Sequence, residues 1–160
     1  MDTEPSMNWY GLIDTIEHFE DLHYKYVDVP WVVSEKAIKS TFPGEKNPVF
    51  RDLYVVGSAE QSFVQMQLDG ELPPGRYVAM SPCFREEPVT TDLIRPSFMK
   101  VELFNSAASA IPYRKMLAQC MGWFTELASN DSIVTLRKTD EGHDIFVNGY
   151  EVGSYGFRKF

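Results

Sequence analysis

Two matched apolar runs constrain this chain more than any other feature of it. "YVAMSPCF", following Arg76, leads out, and "FMKVELF", ending at Phe104, leads back. Both are rich in the β-branched and aromatic residues that suit a pleated, half-buried surface, so they are expected to pair as a buried hairpin. The segment between them carries two arginines, Arg85 and Arg95, and the adjacent acids Glu86 and Glu87. A core hairpin with that much charge at its bend admits two readings. The arginines can form a fork for a carboxylate or phosphate, with a glutamate accepting from an amino group and Phe98 offering a flat face to a base. Alternatively, the charges pair with one another on the surface, where such pairs contribute little.

Other elements follow from local signals. Leu12, Ile13, Ile16, Phe19 and Leu22 recur at helical spacing, opposite Asp14, Glu17, Glu20 and Asp21, and predict an amphipathic helix from about Met7 to Tyr26. It runs into "YVDVPWVVS", where Pro30 points to an edge strand or a bulge. Ser34 is placed to cap a short helix, "EKAIKST", before a loop, "FPGEKNP". "LYVV" reads as a short buried strand, and Ser58 with Gln61 forms a capping-box pattern for a helix reaching about Asp69. "IPYRKMLAQCMGWFTELAS" predicts a second long helix with Pro112 in its first turn. "IVTLR" and "DIFVNGYEVGSY" predict strands, the latter turning at Asn148-Gly149. The expected fold class is α+β, a largely antiparallel sheet flanked by helices.

Bulk properties narrow the function. A chain of 160 residues with 44% hydrophobic content suits one globular domain, residues 1–160. Its net charge of −8, with scattered cations, disfavours extensive nucleic-acid binding but permits a local basic pocket for a small phosphate ligand. With no apolar run of membrane-spanning length and no charged-then-apolar leader, the chain is expected in the cytoplasm, away from membranes. Cys83 and Cys120 are then expected to be free thiols. His18, His23 and His143 lack a metal-ligand spacing.

The order of the charged residues carries a more specific signal. "PCFREE", "LIRPSF" and "KVEL" resemble motif 2 of the class II aminoacyl-tRNA synthetases, and among them most closely that of the seryl enzymes. Phe84, Arg85 and Glu87 match the family's Phe-Arg-x-Glu, and Arg95 and Phe98 match its second half. The loop between Glu87 and Arg95 is short, and the gap from Arg95 to Phe98 is one residue tighter than the pattern. The first helix and "VDVPWVV", with Pro30, resemble motif 1, which builds the family's homodimer interface. "GSAEQ" resembles the Thr-x-Glu element that holds the amino acid, at Ser58 and Glu60, and is equally a helix N-cap. "YEVGSYGFR" resembles the strand that holds Mg2+ and ATP, at Glu151 and Ser154. A hairpin strand with one exposed acid is the alternative there.

The resemblance implies ATP-dependent activation of a small amino acid as its adenylate, followed by transfer to an acceptor that the sequence does not identify. Arg85 would bridge the amino-acid carboxylate and the α-phosphate, and Glu87 would accept from the adenine amino group. Arg95 would grip the terminal phosphates while Phe98 covers the purine. Glu151 and Ser154 would hold Mg2+. Ser58, Glu60 and Glu102 would line the amino-acid pocket. Glu102, between apolar Val101 and Leu103, must meet a cation or solvent, and either the substrate or Lys100 can serve. The sequence stops at Phe160, where the resemblance would place motif 3. The alternative is a degenerate, non-catalytic paralogue that binds a nucleotide, an amino acid or a protein partner as a homodimer; the missing motif 3 favours it, while Phe84-Arg85-x-Glu87 and the Glu151 and Ser154 pair favour activation.

Overall fold

The computed structural model describes residues 7–42, 46–86, 91, 94–106 and 112–158. They fall into two compact units, one within Met1–Ser109 and the other within Ala110–Lys159. Glu87 lies outside the described residues.

The first unit opens with α1 (Trp9–Asp21), capped by the Asn8 side chain, which accepts from Gly11 N–H at 3.0 Å. The helix stops short of the expected Tyr26 because His23 adopts φ 66°, the left-handed region that ends a helical run. The chain beyond it is extended as β1 (Lys25–Tyr26), followed by β2 (Val32–Ser34) and α2 (Glu35–Thr41). Ser34 caps α2, as its position predicts. Then come β3 (Pro48–Phe50), which falls at the end of the expected loop, β4 (Leu53–Val55) and α3 (Ala59–Leu68). The hairpin strands β5 (Arg76–Phe84) and β6 (Ser97–Asn105) complete the unit.

Antiparallel pairing dominates, but it is divided among separate three-stranded sheets. In the first unit β1 runs parallel to β5, which pairs antiparallel with β6, while β4 lies between β2 and β3. The two sheets are linked where Phe84 N–H donates to the Val56 carbonyl at 3.0 Å. That bond explains how Pro82 is tolerated inside β5. Phe84 N–H points away from β6, and Pro82, two residues earlier, shares its orientation. The missing donor therefore falls on the side of β5 away from β6, and β1 reaches only Tyr77 and Val78.

The core is organised around α3. Ala59 and Phe63 pack with Val29, Leu72, Tyr77 and Ala79, and the Phe63 ring stacks on Phe104 at 5.0 Å between centroids. Val64 faces a second cluster with Val33, Ala37, Ile38 and Val56. Burying Phe63 alone contributes roughly 2–3 kcal/mol.

The second unit contains α4 (Tyr113–Leu127), with Pro112 at its N-cap, and the meander β7 (Val134–Lys138), β8 (Gly142–Val147) and β9 (Tyr150–Gly156). Asn148 and Gly149 both take positive φ, 51° and 86°, as a tight two-residue hairpin turn demands. No helix among the described residues is long and apolar enough to cross a membrane.

Candidate functional site

The register of the β5–β6 hairpin sorts its side chains unambiguously. Tyr77 lies opposite Phe104, Ala79 opposite Glu102, Ser81 opposite Lys100 and Cys83 opposite Phe98. In an antiparallel pair, opposed residues share a face and alternate residues return to it. These eight therefore form one face. α3 covers the Tyr77–Phe104 end, and the other end carries the polar groups. The opposite face takes the end of α1: Arg76 donates to the Leu22 carbonyl at 3.3 Å, and its guanidinium lies 5.5 Å from the Tyr24 ring centroid.

Arg85 continues the polar face. Its N–H donates to the Pro96 carbonyl at 2.9 Å, one step beyond the last paired residues, and this closes the base of the bend. The side chain reaches across the sheet link. Nε donates to the Gly57 carbonyl at 3.2 Å, and the guanidinium lies 5.4 Å from the centre of the Phe98 ring. Arg85 is thus held between the start of α3 and an aromatic face. Arg95, half-buried, follows Ile94, whose carbonyl accepts from Thr91 N–H and whose own N–H donates to the Thr91 hydroxyl.

The "GSAEQ" segment forms the start of α3, and its geometry is that of a cap. The Ser58 hydroxyl accepts from Glu60 N–H at 3.3 Å. Gln61 Oε1 accepts from Gly57 and Ser58 N–H at 3.1 and 2.9 Å, and its Nε2 donates to Thr41 at 2.9 Å. Ser58 and Gln61 are buried, while Glu60 is half-buried in the first helical turn, where a negative charge is favoured.

Glu102 is largely buried and incompletely paired. Its side chain is 15% exposed, and Lys100 Nζ approaches Oε2 at 3.7 Å. That distance gives charge neutralisation without a hydrogen bond, and Oε2 is buried with no hydrogen-bond partner. The Ser81 hydroxyl, on the same face, is likewise buried and unbonded. Cys83 registers the convergence of charge. Burial pushes its thiol up to about 11, against the opposing pulls of Lys100 and Arg85, while Glu102 adds to the rise.

In the second unit, Glu151 and Ser154 are both exposed. Residues three apart in a regular strand face opposite ways. Here they do not, because β9 carries an extra residue. Gly153 pairs with Ile145, but Phe146 pairs with Glu151, leaving Val152 as a bulge. Glu151 therefore stands opposite Phe146 and Ser154 opposite Asp144, and both lie on the face shared by those alternate β8 residues. They present one carboxylate and one hydroxyl on an exposed face, and among the described residues no group of three or more His, Cys, Asp or Glu side chains could hold a metal ion.

Ser81 and the Gly57 carbonyl had no distinguishing local signal. Their place at the site follows from the β5–β6 register and from the sheet link.

No protein-family model matches the chain, and no curated protein matches it in sequence. Solved structures do. Pyrrolysyl-tRNA synthetase from Desulfitobacterium hafniense superposes with a TM-score of 0.67 at 12% identity, over 94% of this chain and 59% of that one. A second structure of the D. hafniense enzyme gives 0.64 at 11% identity, over 91% and 54%. Seryl-tRNA synthetase from Pyrococcus horikoshii, complexed with ATP, gives 0.69 at 22% identity, over 86% and 37%. The fold is that of a class II synthetase catalytic core. The chain spans less than two thirds of the length of these synthetases. The expectation of a class II synthetase-like core is thereby met.

Proposed function

We propose that the protein activates a small amino acid with ATP, forming an aminoacyl-adenylate, and passes the aminoacyl group to an acceptor not yet identified. One observation carries the reading. Arg85 is held between the Gly57 carbonyl and the Phe98 ring, on the hairpin face that also bears Glu102. Since a fold alone does not specify chemistry, this arrangement supports the assignment more than the superposition does.

The reaction needs little proton transfer. A carboxylate oxygen of the amino acid attacks the α-phosphorus of ATP, a P–O bond forms, and the bond to the leaving pyrophosphate breaks. The barrier is lowered by holding two anions in line and by opposing the charge that develops at phosphorus. The planar fork of Arg85 suits both the carboxylate and the α-phosphate, which a point-like ammonium cannot bridge as well. Phe98, beside Arg85, offers an aromatic face to the purine. Arg95 takes the terminal phosphates and Glu87 the adenine amino group in this reading. Ser58, Glu60 and Glu102 line the amino-acid pocket. In the second unit, Glu151 and Ser154 would hold Mg2+, a hard cation suited to their oxygen donors. The assembly is a homodimer through α1 and the segment around Pro30, both of which present exposed aromatic residues, among them Trp9, Tyr10 and Trp31.

The test is ATP–pyrophosphate exchange with Mg2+ across the proteinogenic amino acids, beginning with serine. Exchange with one amino acid is expected, falling at least about a hundredfold in Arg85→Ala, as for loss of one transition-state donor. Absence of exchange with every amino acid, from folded protein, would overturn the catalytic reading and leave a site that only binds.

A further inference from the structure

We propose that Lys100 is a stand-in for the substrate's ammonium group, neutralising Glu102 in the unliganded protein and giving up that carboxylate to an incoming amino acid. The inference rests on the amino-acid pocket assigned above and adds to it a residue that controls which ligands enter.

Lys100 and Glu102 are alternate residues of β6 and share the pocket face, opposite Ser81 and Ala79. Their contact is incomplete in a particular way. At 3.7 Å the ammonium cancels charge but makes no hydrogen bond, and the carboxylate oxygen nearest to it is enclosed and unbonded. An enclosed carboxylate oxygen that lacks a hydrogen bond is a costly arrangement, and a donor able to approach to about 2.8 Å relieves it. Lys100 does not make that approach from its place on the same strand. An α-ammonium arriving as a free ligand is under no such constraint.

Lys100 is also free to leave. Its side chain is 31% exposed, twice the value for Glu102, so its ammonium can rotate into water and recover both hydration and rotamer freedom. The exchange replaces one cation by another, and Glu102 is not left uncompensated once it is complete. Ser81, directly across from Lys100, is 0% exposed and its hydroxyl has no partner. Withdrawal of Lys100 brings that hydroxyl and the carboxylate to the same ligand. The pair favours a short amino acid with a free ammonium, and it disfavours a ligand without one, which has nothing to offer Glu102 in place of Lys100.

Two probes isolate the ammonium. Glycyl-sulfamoyl adenosine mimics an adenylate of the smallest amino acid, and acetyl-sulfamoyl adenosine lacks only the amino group. Their dissociation constants are measured by calorimetry on the full chain as wild type, Lys100→Met, Lys100→Gln and Glu102→Gln. If Lys100 occupies Glu102 about nine-tenths of the time, its removal tightens the glycyl compound roughly tenfold and leaves the acetyl compound nearly unchanged. Glu102→Gln is expected to erase the preference between the two. A preference that stays constant or shrinks on loss of Lys100 overturns the proposal, because Lys100 is then an ordinary neighbour of Glu102. Failure of both compounds to bind the wild type overturns the pocket assignment itself, and this inference with it. Should neither Lys100 variant fold, the wild type still decides the matter. Proton exchange at the Lys100 ammonium, read by 15N NMR, should accelerate with the glycyl compound and not with the acetyl one, and equal rates reject the exchange.

Discussion

At the scale of single residues, the position of Arg85 depends on Gln61, which never touches it. Gln61 Oε1 accepts from both Gly57 and Ser58 N–H, fixing the peptide whose carbonyl receives Arg85. Replacing Gln61 by Leu preserves apolar volume and strands two enclosed donors. Each costs about 1–3 kcal/mol when left unsatisfied, so a loss of roughly 2–6 kcal/mol is expected in urea unfolding. A change below about 1 kcal/mol would mean that water or a shifted helix replaces the amide. The cysteines supply a second residue-scale expectation. Burial pushes Cys83 and Cys120 from an ordinary value of 9.0 up to about 11. The unfolded chain therefore releases these protons first, and stability contributed by the protonated thiols is present below pH 9 and is lost as pH rises toward 11. In native protein at neutral pH neither thiol should react with iodoacetamide on a timescale of minutes, as mass spectrometry would register.

At the scale of elements, what could be read in the sequence divides by the range of the interaction. Ser34, the Ser58–Gln61 box and Asn148-Gly149 act on their immediate neighbours, and each formed the cap or turn that its residue types imply. The hairpin from Arg76 was legible because its two runs match in length and composition. The end of α1 was not. Its apolar spacing continues to Leu22, and nothing local marks His23 for positive φ. Nor was the division into separate sheets, since β1 pairs with a strand on the far side of α3. The face of Glu102 needed the register, and the shared face of Glu151 and Ser154 needed a bulge that alternation cannot reveal. The Asn148-Gly149 turn is open to direct test. A Cβ at Gly149 meets nothing within 4 Å, so Gly149→Ala carries only the backbone cost of φ +86°. That cost is about 1–2 kcal/mol, and hydrogen exchange in β8 and β9 should rise accordingly. Unchanged protection there would show that the turn does not hold the meander in register.

At the scale of the whole molecule, the proposed dimer has to reconcile apolar attraction with charge. Trp9, Tyr10 and Ile13 on α1 and Trp31 and Val32 around β2 are exposed, and aromatic residues so placed are suited to anchoring a self-complementary interface. Each chain also carries a net charge of −8. Two such chains repel at long range, and salt screens that repulsion over roughly 10 Å at 0.1 M while leaving apolar burial largely intact. Dimerisation should therefore tighten as salt rises from low to moderate concentration, the reverse of an association driven by opposite charges. Sedimentation equilibrium across a salt series measures the sign directly. Ile13→Glu with Trp31→Glu should yield monomers of unchanged helix content at every salt concentration, because both side chains are already solvated in the single chain. A wild type that stays monomeric at high micromolar concentration would remove the dimer from the proposed function, and a dimer that weakens with salt would move its interface away from these aromatic residues.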